Sequence, residues 1–266
     1  GILFAFDRPP EVTEIVPEIG GLYVEAVVGN PVSINPILAQ FNDVDKDLVA
    51  LLFTGLTKPD DKYQLVPDLA KDWQVTSEGR VYVFHLRPDV KWHDGQPFSA
   101  DDVVFTVKAI QDPEYQGSPD LAALWKNVVV EKVDQLTVKF TLQEPYAPFL
   151  TYTTIGTLPA HLLAGVPAGD LPNHSFRANP VGTGMFMLSE ATVEYVVLQR
   201  NADFYGAKPF LSKVKLRFYP DHQAALAALR KKEVQGAAFV PPEEVTRLEA
   251  DSDVILYRSH RTMSAV

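Results

Sequence analysis

His93 and Asp94 stand side by side in the stretch VKWHDGQPFSADDVVFT (residues 90–106), with Ser99, Asp101 and Asp102 just downstream and His85 upstream. Imidazole, carboxylate and hydroxyl groups at this density are the raw material of a metal site or of a nucleophile with its base. Each chemistry makes demands that can be checked along the chain. Zinc needs further ligands on converging elements, and only His85 is near in sequence. A Ser-His-Asp arrangement needs a device that aims the serine, and no G-x-S-x-G elbow occurs here. A metal-dependent hydrolase built on His85, His93 and Asp94 is therefore one reading to carry forward.

The elements that must hold these residues suggest another. Ser99 sits where an N-cap belongs, ahead of Val103, Val104, Val107 and Ile110 at helical spacing, and Asp112-Pro113 ends the pattern. Asp102 falls at the third helical position, so S-A-D-D approximates a capping box, and both acids suit the first-turn amide dipoles. Asp94-Gly95 is a turn closing a short strand at residues 90–93, with Trp92 facing a core and His93 facing out. On this reading the whole stretch is architectural.

Further along, Gly182-Thr183-Gly184 invites a phosphate-loop assignment, but a third glycine is lacking and a strand pattern follows. Without a helix N-terminus the anion-binding argument fails, and close backbone approach to a ligand or neighbouring strand is the better role. RKKE at residues 230–233 is a solvated helix end with cations where the dipole favours them.

The wider pattern frames these sites. The 266 residues are 46% hydrophobic and 22% charged, enough to bury a substantial core in one large or two ordinary domains. A formal net charge of -10 argues against a phosphate-binding nucleic-acid surface. Cysteine is absent, which excludes disulfides, thiolate metal sites and cysteine nucleophiles. No run approaches the roughly 18 to 20 apolar residues of a membrane-spanning helix. The start has two readings: residues 1–6 (GILFAF) as the stump of an apolar signal or anchor segment with a Pro- and Glu-rich tether to residue 21, or a terminal arm packed on the surface.

Residues 22–28 (LYVEAVV) predict a strand running into the irregular loop GNPVSINPILAQ, and residues 43–52 a helix. Residues 80–87 alternate as a strand with Tyr82, Phe84 and Leu86 inward, and residues 127–133 and 136–142 form a hairpin. After a breaker-rich connection at residues 165–180 come a hairpin (185–188 and 195–200), a strand (213–219), a helix (222–232) and a strand (235–240). That β-α-β rhythm predicts a parallel, helix-covered sheet. A Pro-led helix from residue 241 and a strand at residues 253–258 close the pattern, and the α/β unit looks unfinished, as in a truncated protein.

Three segments together resemble one family. LAKDWQVTSEGRVYVFHLRPDVKWHDG (residues 69–95), with the following Ala100, Asp102 and Val103, is similar to the signature of the family 5 extracytoplasmic solute-binding proteins. SINPILAQFNDVDKDLVALLFTGL upstream, and NPVGTGMFML, RNADFYG and LSKVKLRFYPDHQAALAALRKKEV downstream, extend the likeness from residue 22 to the end.

The resemblance implies a periplasmic-binding-protein-like type II lobe of the α/β class. It is assembled from residues 22–53 and 174–266, split by an α+β insert at residues 54–173, and lacks the second lobe. It implies a non-catalytic protein without cofactor or resident metal, a monomer outside the cytoplasmic membrane, either free or anchored there. Such a protein hands an oligopeptide, dipeptide or metal-chelate solute to an ABC permease, or senses it. Val32, Ser33, Ile34 and Asn35 match the family's solute-contacting loop. Thr153, Thr154 and Gly184 are placed near the cleft by the family's order of elements.

Overall fold

The computed structural model describes residues 18–251 and 254–256. The chain enters on β1 (Gly20–Val28) and turns into α1 (Asp43–Leu52). It then makes β2 (Thr57–Pro59), β3 (Leu65–Pro67), β4 (Ala70–Thr76) and β5 (Val81–Leu86). Next come α2 (Ala100–Gln111), α3 (Pro119–Trp125), the hairpin β6 (Val129–Asp134) and β7 (Thr137–Thr141), and the short helices α4 (Phe149–Tyr152) and α5 (Ala160–Leu163). The last section holds β8 (Phe186–Ala191), β9 (Tyr195–Arg200), β10 (Leu211–Tyr219), α6 (His222–Arg230), β11 (Gly236–Ala237) and α7 (Pro242–Glu249).

Two principal sheets result. A five-stranded mixed sheet has the order β11-β1-β10-β9-β8, in which β1 pairs parallel with both β10 and β11. A four-stranded antiparallel sheet has the order β4-β5-β7-β6. The side-chain patterns follow from the covering of each. Ala26 on β1 packs under α6 with Ala225, Ala228 and Val234, while Val27 on the other face joins the main core with Val44 and Leu48 of α1. A parallel strand covered on both faces reads as a continuous apolar run. β5 instead buries only Tyr82, Phe84 and Leu86, the signature of a sheet with one wet face. Phe84 and Phe140 meet edge to face at 5.6 Å, and Trp125 adds a ring at 5.7 Å from Phe140. One apolar core runs through both sheets.

The expected hairpins and helices form, with α2 opening on a capping box: Asp101 N donates to Ser99 Oγ, and Ser99 N to the Asp102 carboxylate at 2.9 Å. Three expectations need correction or restriction. Residues 90–93 make only an isolated bridge between Lys91 and Pro97, because Gly95 (φ 86) turns the chain back at once. The strand expected at residues 235–240 shrinks to Gly236–Ala237, since Pro241 and Pro242 remove ladder donors directly behind it. Residues 254–256 are not a strand. The remainder of the expected strand at 253–258, like the reading of residues 1–17, lies outside the described residues.

Candidate functional site

The loop leaving β1 is fixed from several sides. Gly29 takes φ 95, a turn conformation that suits glycine. The main-chain N–H groups of Val32 and Ser33 donate to the two oxygens of the Asp45 carboxylate at 2.8 and 2.9 Å. Asp45 belongs to the first turn of α1, whose N-cap Asn42 accepts from Asp45 N and donates through Nδ2 to Asn30 O at 3.1 Å. Burial raises the Asp45 pKa, and the two loop N–H bonds work against that rise. Farther on, Ile34 N donates to Arg177 O at 3.1 Å and Ile37 O accepts from the Tyr115 hydroxyl at 2.5 Å. Burial pushes the Tyr115 hydroxyl up to about 12.

This loop carries four of the residues singled out in the sequence. Ile34 is core, 3% exposed, and Asn35 is 1% exposed with its Oδ1 accepting from Ile37 N. Two of its buried polar atoms, Ser33 Oγ and Asn35 Nδ2, have no partner among the described residues. Val32 projects outward, as does Phe41 just before α1. Beside the loop a recess of about 220 Å³ opens at the carboxyl ends of β1 and β11, lined by Val28, Val44, Asp47, His222 and Phe239 among others. A second recess of about 330 Å³ is lined by Glu25 and Asp47, and the Glu25 carboxyl is raised by burial and then by Asp47.

Thr153 and Thr154 come close to this loop through their neighbours. Residues 53–57 run beside 153–157: Thr157 N donates to Thr54 O at 3.1 Å, and the Thr57 and Thr153 hydroxyls meet at 2.8 Å. A Cβ on Gly156 would lie 2.8 Å from Cβ of both Phe53 and Pro36, so the two segments touch there. The hydroxyls of Thr153 and Thr154 are spent on their own turn, donating to Leu150 O and Thr151 O. Gly184 is buried under the end of α1, its N–H donating to Leu52 O at 2.9 Å. Its carbonyl accepts from His93 Nε2 and Asn201 Nδ2. The glycine pair thus permits close approach to a helix end, rather than to the strand considered from sequence.

The histidines and acids of the VKWHDG stretch are each engaged separately. His93 does not face out: its backbone N–H donates to Gly182 O, its Nδ1 accepts from Gly182 N at 3.1 Å and its Nε2 reaches Gly184 O at 3.1 Å. The turn at Gly95 swings the ring toward residues 182–184, where backbone groups satisfy both nitrogens. Asp94 pairs with His161 at 2.7 Å, and His85 pairs with Asp72 on the adjacent strand. Asp102 is 4% exposed and accepts from Trp92 Nε1, Ser99 N and Ala160 N. Among the described residues no group of three or more His, Asp or Glu side chains is arranged to hold a metal ion. The geometry gives the hydrolase reading no converging triad.

The family described as bacterial extracellular solute-binding proteins, family 5 Middle, matches residues 64–266. The chain belongs to this family. The oligopeptide-binding protein AppA of Bacillus subtilis is 31% identical over 223 residues, covering 82% of this chain and 40% of that protein. The dipeptide-binding protein of Escherichia coli is also 31% identical, covering 73% of this chain and 40% of that protein. Among solved structures, AppA with a nonapeptide superposes with a TM-score of 0.81 at 29% identity, over 88% of this chain and 47% of that one. NikZ from Campylobacter jejuni with Ni(L-His) gives 0.78 at 33% identity, over 87% and 45%. This family 5 chain therefore spans less than half the length of these relatives.

Several residues that build the loop of this family 5 chain escaped sequence reasoning. Asp45 was not singled out, although its carboxylate faces the loop and accepts from Val32 N and Ser33 N. Tyr115 and Arg177 act across 78 and 143 positions, respectively, on Ile37 O and Ile34 N, distances no local pattern reports. Thr157, buried with an unpartnered Oγ1, adjoins Gly156 and had no motif to mark it. No described helix is long and apolar enough to cross a membrane.

Proposed function

We propose that this chain is the solute-holding lobe of a non-catalytic, extracytoplasmic binding protein that serves an ABC importer, and that its solute is a peptide or a related small chelate. The observation that carries the reading is the loop at the carboxyl end of β1, pinned by Asp45 and Tyr115, in which buried Ser33 Oγ and Asn35 Nδ2 lack a partner among the described residues. Ligands of open α/β sheets bind outside the carboxyl ends of the strands. A rigid loop there offers backbone to an extended peptide and side-chain donors to its carbonyl or carboxylate oxygens. The relatives described as peptide-binding, and the NikZ complex with Ni(L-His), support both solute classes.

In this proposal residues 22–53 and 174–266 are the lobe and residues 54–173 an inserted α+β subdomain. Val32, Ser33, Ile34 and Asn35 form the principal contact, with Thr153, Thr154 and Gly184 supporting it, and the protein works as a monomer with a permease as partner. One lobe covers one side of the solute, so residues 1–266 by themselves bind more weakly than two lobes that close around it.

The test is isothermal titration with dipeptides, oligopeptides and nickel-histidine, on the wild type and on Ser33→Ala. Because Ser33 Oγ has no partner among the described residues, the substitution removes an unsatisfied buried hydroxyl and leaves the unfolding midpoint no lower than that of the wild type. It weakens solute binding about five- to tenfold, the equivalent of one ordinary hydrogen bond. Absence of binding to every solute together with measurable hydrolytic turnover would overturn the proposal.

A further inference from the structure

His93 holds a position no motif assigns to it. Its Nδ1 accepts the Gly182 N–H and therefore carries no proton, while its Nε2 faces the Gly184 carbonyl and therefore carries one. The ring is fixed as a single neutral tautomer, bridging the VKWHDG turn to residues 182–184. Those residues in turn grip the end of α1: Gly184 N donates to Leu52 O at 2.9 Å, and the Thr183 and Thr54 hydroxyls meet at 2.6 Å. At its other end α1, a rigid rod of about 15 Å, presents Asp45 to the loop after β1.

We propose that His93 is an acid-sensitive positioning residue, whose protonation releases residues 182–184 from the VKWHDG turn and so loosens the seat of α1. The reasoning is steric and electrostatic. A proton taken up from solvent on Nδ1 sets an N–H against the Gly182 N–H, two donors in one place, and that bond is lost. The charged group acting on the ring is Asp94, the next residue, whose carboxylate is held by His161 of α5. The contacts from residues 182–184 are backbone groups, and Asn201, which shares the Gly184 carbonyl, is neutral.

Burial, partly offset by the Gly184 bond and by Asp94, lowers the His93 pKa in the folded chain, in accord with this geometry. Its unfolded value is the higher one, so the stabilisation is complete above about pH 6.5 and is lost as pH falls toward the folded value. The inference does not depend on which solute is bound, or on whether any is.

The experiment is amide hydrogen exchange at Gly182 and Gly184, corrected for the intrinsic pH dependence of exchange, from about pH 8 to about pH 5, on the whole chain and on His93→Gln. Glutamine keeps one acceptor and one donor but does not titrate. Protection at these amides falls about two- to tenfold in the wild type across this range, the equivalent of the one bond lost, and stays level in His93→Gln. A level wild-type profile, or an equal fall in the variant, overturns the proposal. Long-range nitrogen-15 NMR of the unmodified chain supplies an independent reading: a ring protonated on Nε2 at neutral pH, with the Gly182 amide shifting as His93 titrates. A ring protonated on Nδ1 overturns it as well.

Discussion

Gly182→Ala isolates the close approach of residues 182–184 to α1. Gly182 does not adopt a positive φ, so an alanine there adds a methyl group without left-handed strain. A Cβ would lie 1.8 Å from the Leu52 carbonyl oxygen and 2.7 Å from its carbon. Ordinary contact requires more than 3 Å, so the loop must retreat by over 1 Å from a backbone that cannot swing away like a side chain. That retreat strains the bonds of Gly182 and Gly184 to His93, at 3.1 Å each, and of Gly184 N to Leu52 O. Losing two such bonds costs about 1–3 kcal/mol, and overpacking itself costs about 1–3 kcal/mol. The two overlap, because the shift that breaks the bonds relieves the clash, which leaves an expected loss of about 2–4 kcal/mol. With an m-value of about 3 kcal/mol/M, the urea midpoint falls by about 1 M. Gly165→Ala serves as the control, since nothing lies within 4 Å of its Cβ and its backbone is unexceptional. Its midpoint moves by less than the equivalent of about 0.5 kcal/mol. A Gly182→Ala midpoint indistinguishable from this control would refute the packing argument.

Other expectations concern single contacts. Ser99→Ala removes the capping hydroxyl of α2 and lowers stability by about 1 kcal/mol in urea unfolding, leaving the m-value unchanged. Phe84→Ala empties a fully buried site between Trp73 and Phe140 and costs about 3–5 kcal/mol, enough to show as a lower thermal midpoint. Tyr205→Phe removes the hydroxyl that donates to the buried Asp68 carboxylate at 2.8 Å and costs about 1.5–3 kcal/mol, since a bond to a charged acceptor is lost. Asp72→Asn, which breaks the half-exposed pair with His85, shifts the midpoint by less than about 1 kcal/mol at neutral pH.

What was legible in the sequence is what local chemistry determines. The capping box at Ser99 and Asp102 is a spacing of three residues, and the turn at Gly95 a single φ requirement, so both can be read within a few positions. The alternation of β5 and the continuous run of β1 report their surroundings for the same reason, since burial on one face or two is written into the period. The orientation of His93 was not legible, because its partners lie 89 and 91 positions away and are main-chain groups without sequence identity. The extent of β11 was overestimated because an apolar run states that a segment is buried, not that its ladder is complete. The role of Asp45 was hidden behind a sufficient local explanation. An acid in a first helical turn needs no further cause, yet its two oxygens are what hold Val32 and Ser33.

The VKWHDG turn shows why a diagnostic motif and a binding site need not coincide. The side-chain polar groups of Trp92, His93 and Asp94 are already consumed by the fold. Trp92 Nε1 is given to Asp102, both His93 nitrogens to the 182–184 backbone, the Asp94 carboxylate to His161, and Gly95 supplies the positive φ that lets all three point different ways. Changing any one of them breaks a contact with a different element, so the motif is constrained from several directions by packing alone. The loop after β1 is the reverse case. Its backbone is fixed by Asp45 of the next helix and by Tyr115 and Arg177 far along the chain, while Ser33 Oγ and Asn35 Nδ2 have no partner among the described residues. A buried donor without a partner costs about 1–3 kcal/mol, a cost that a bound solute would relieve under the proposed function.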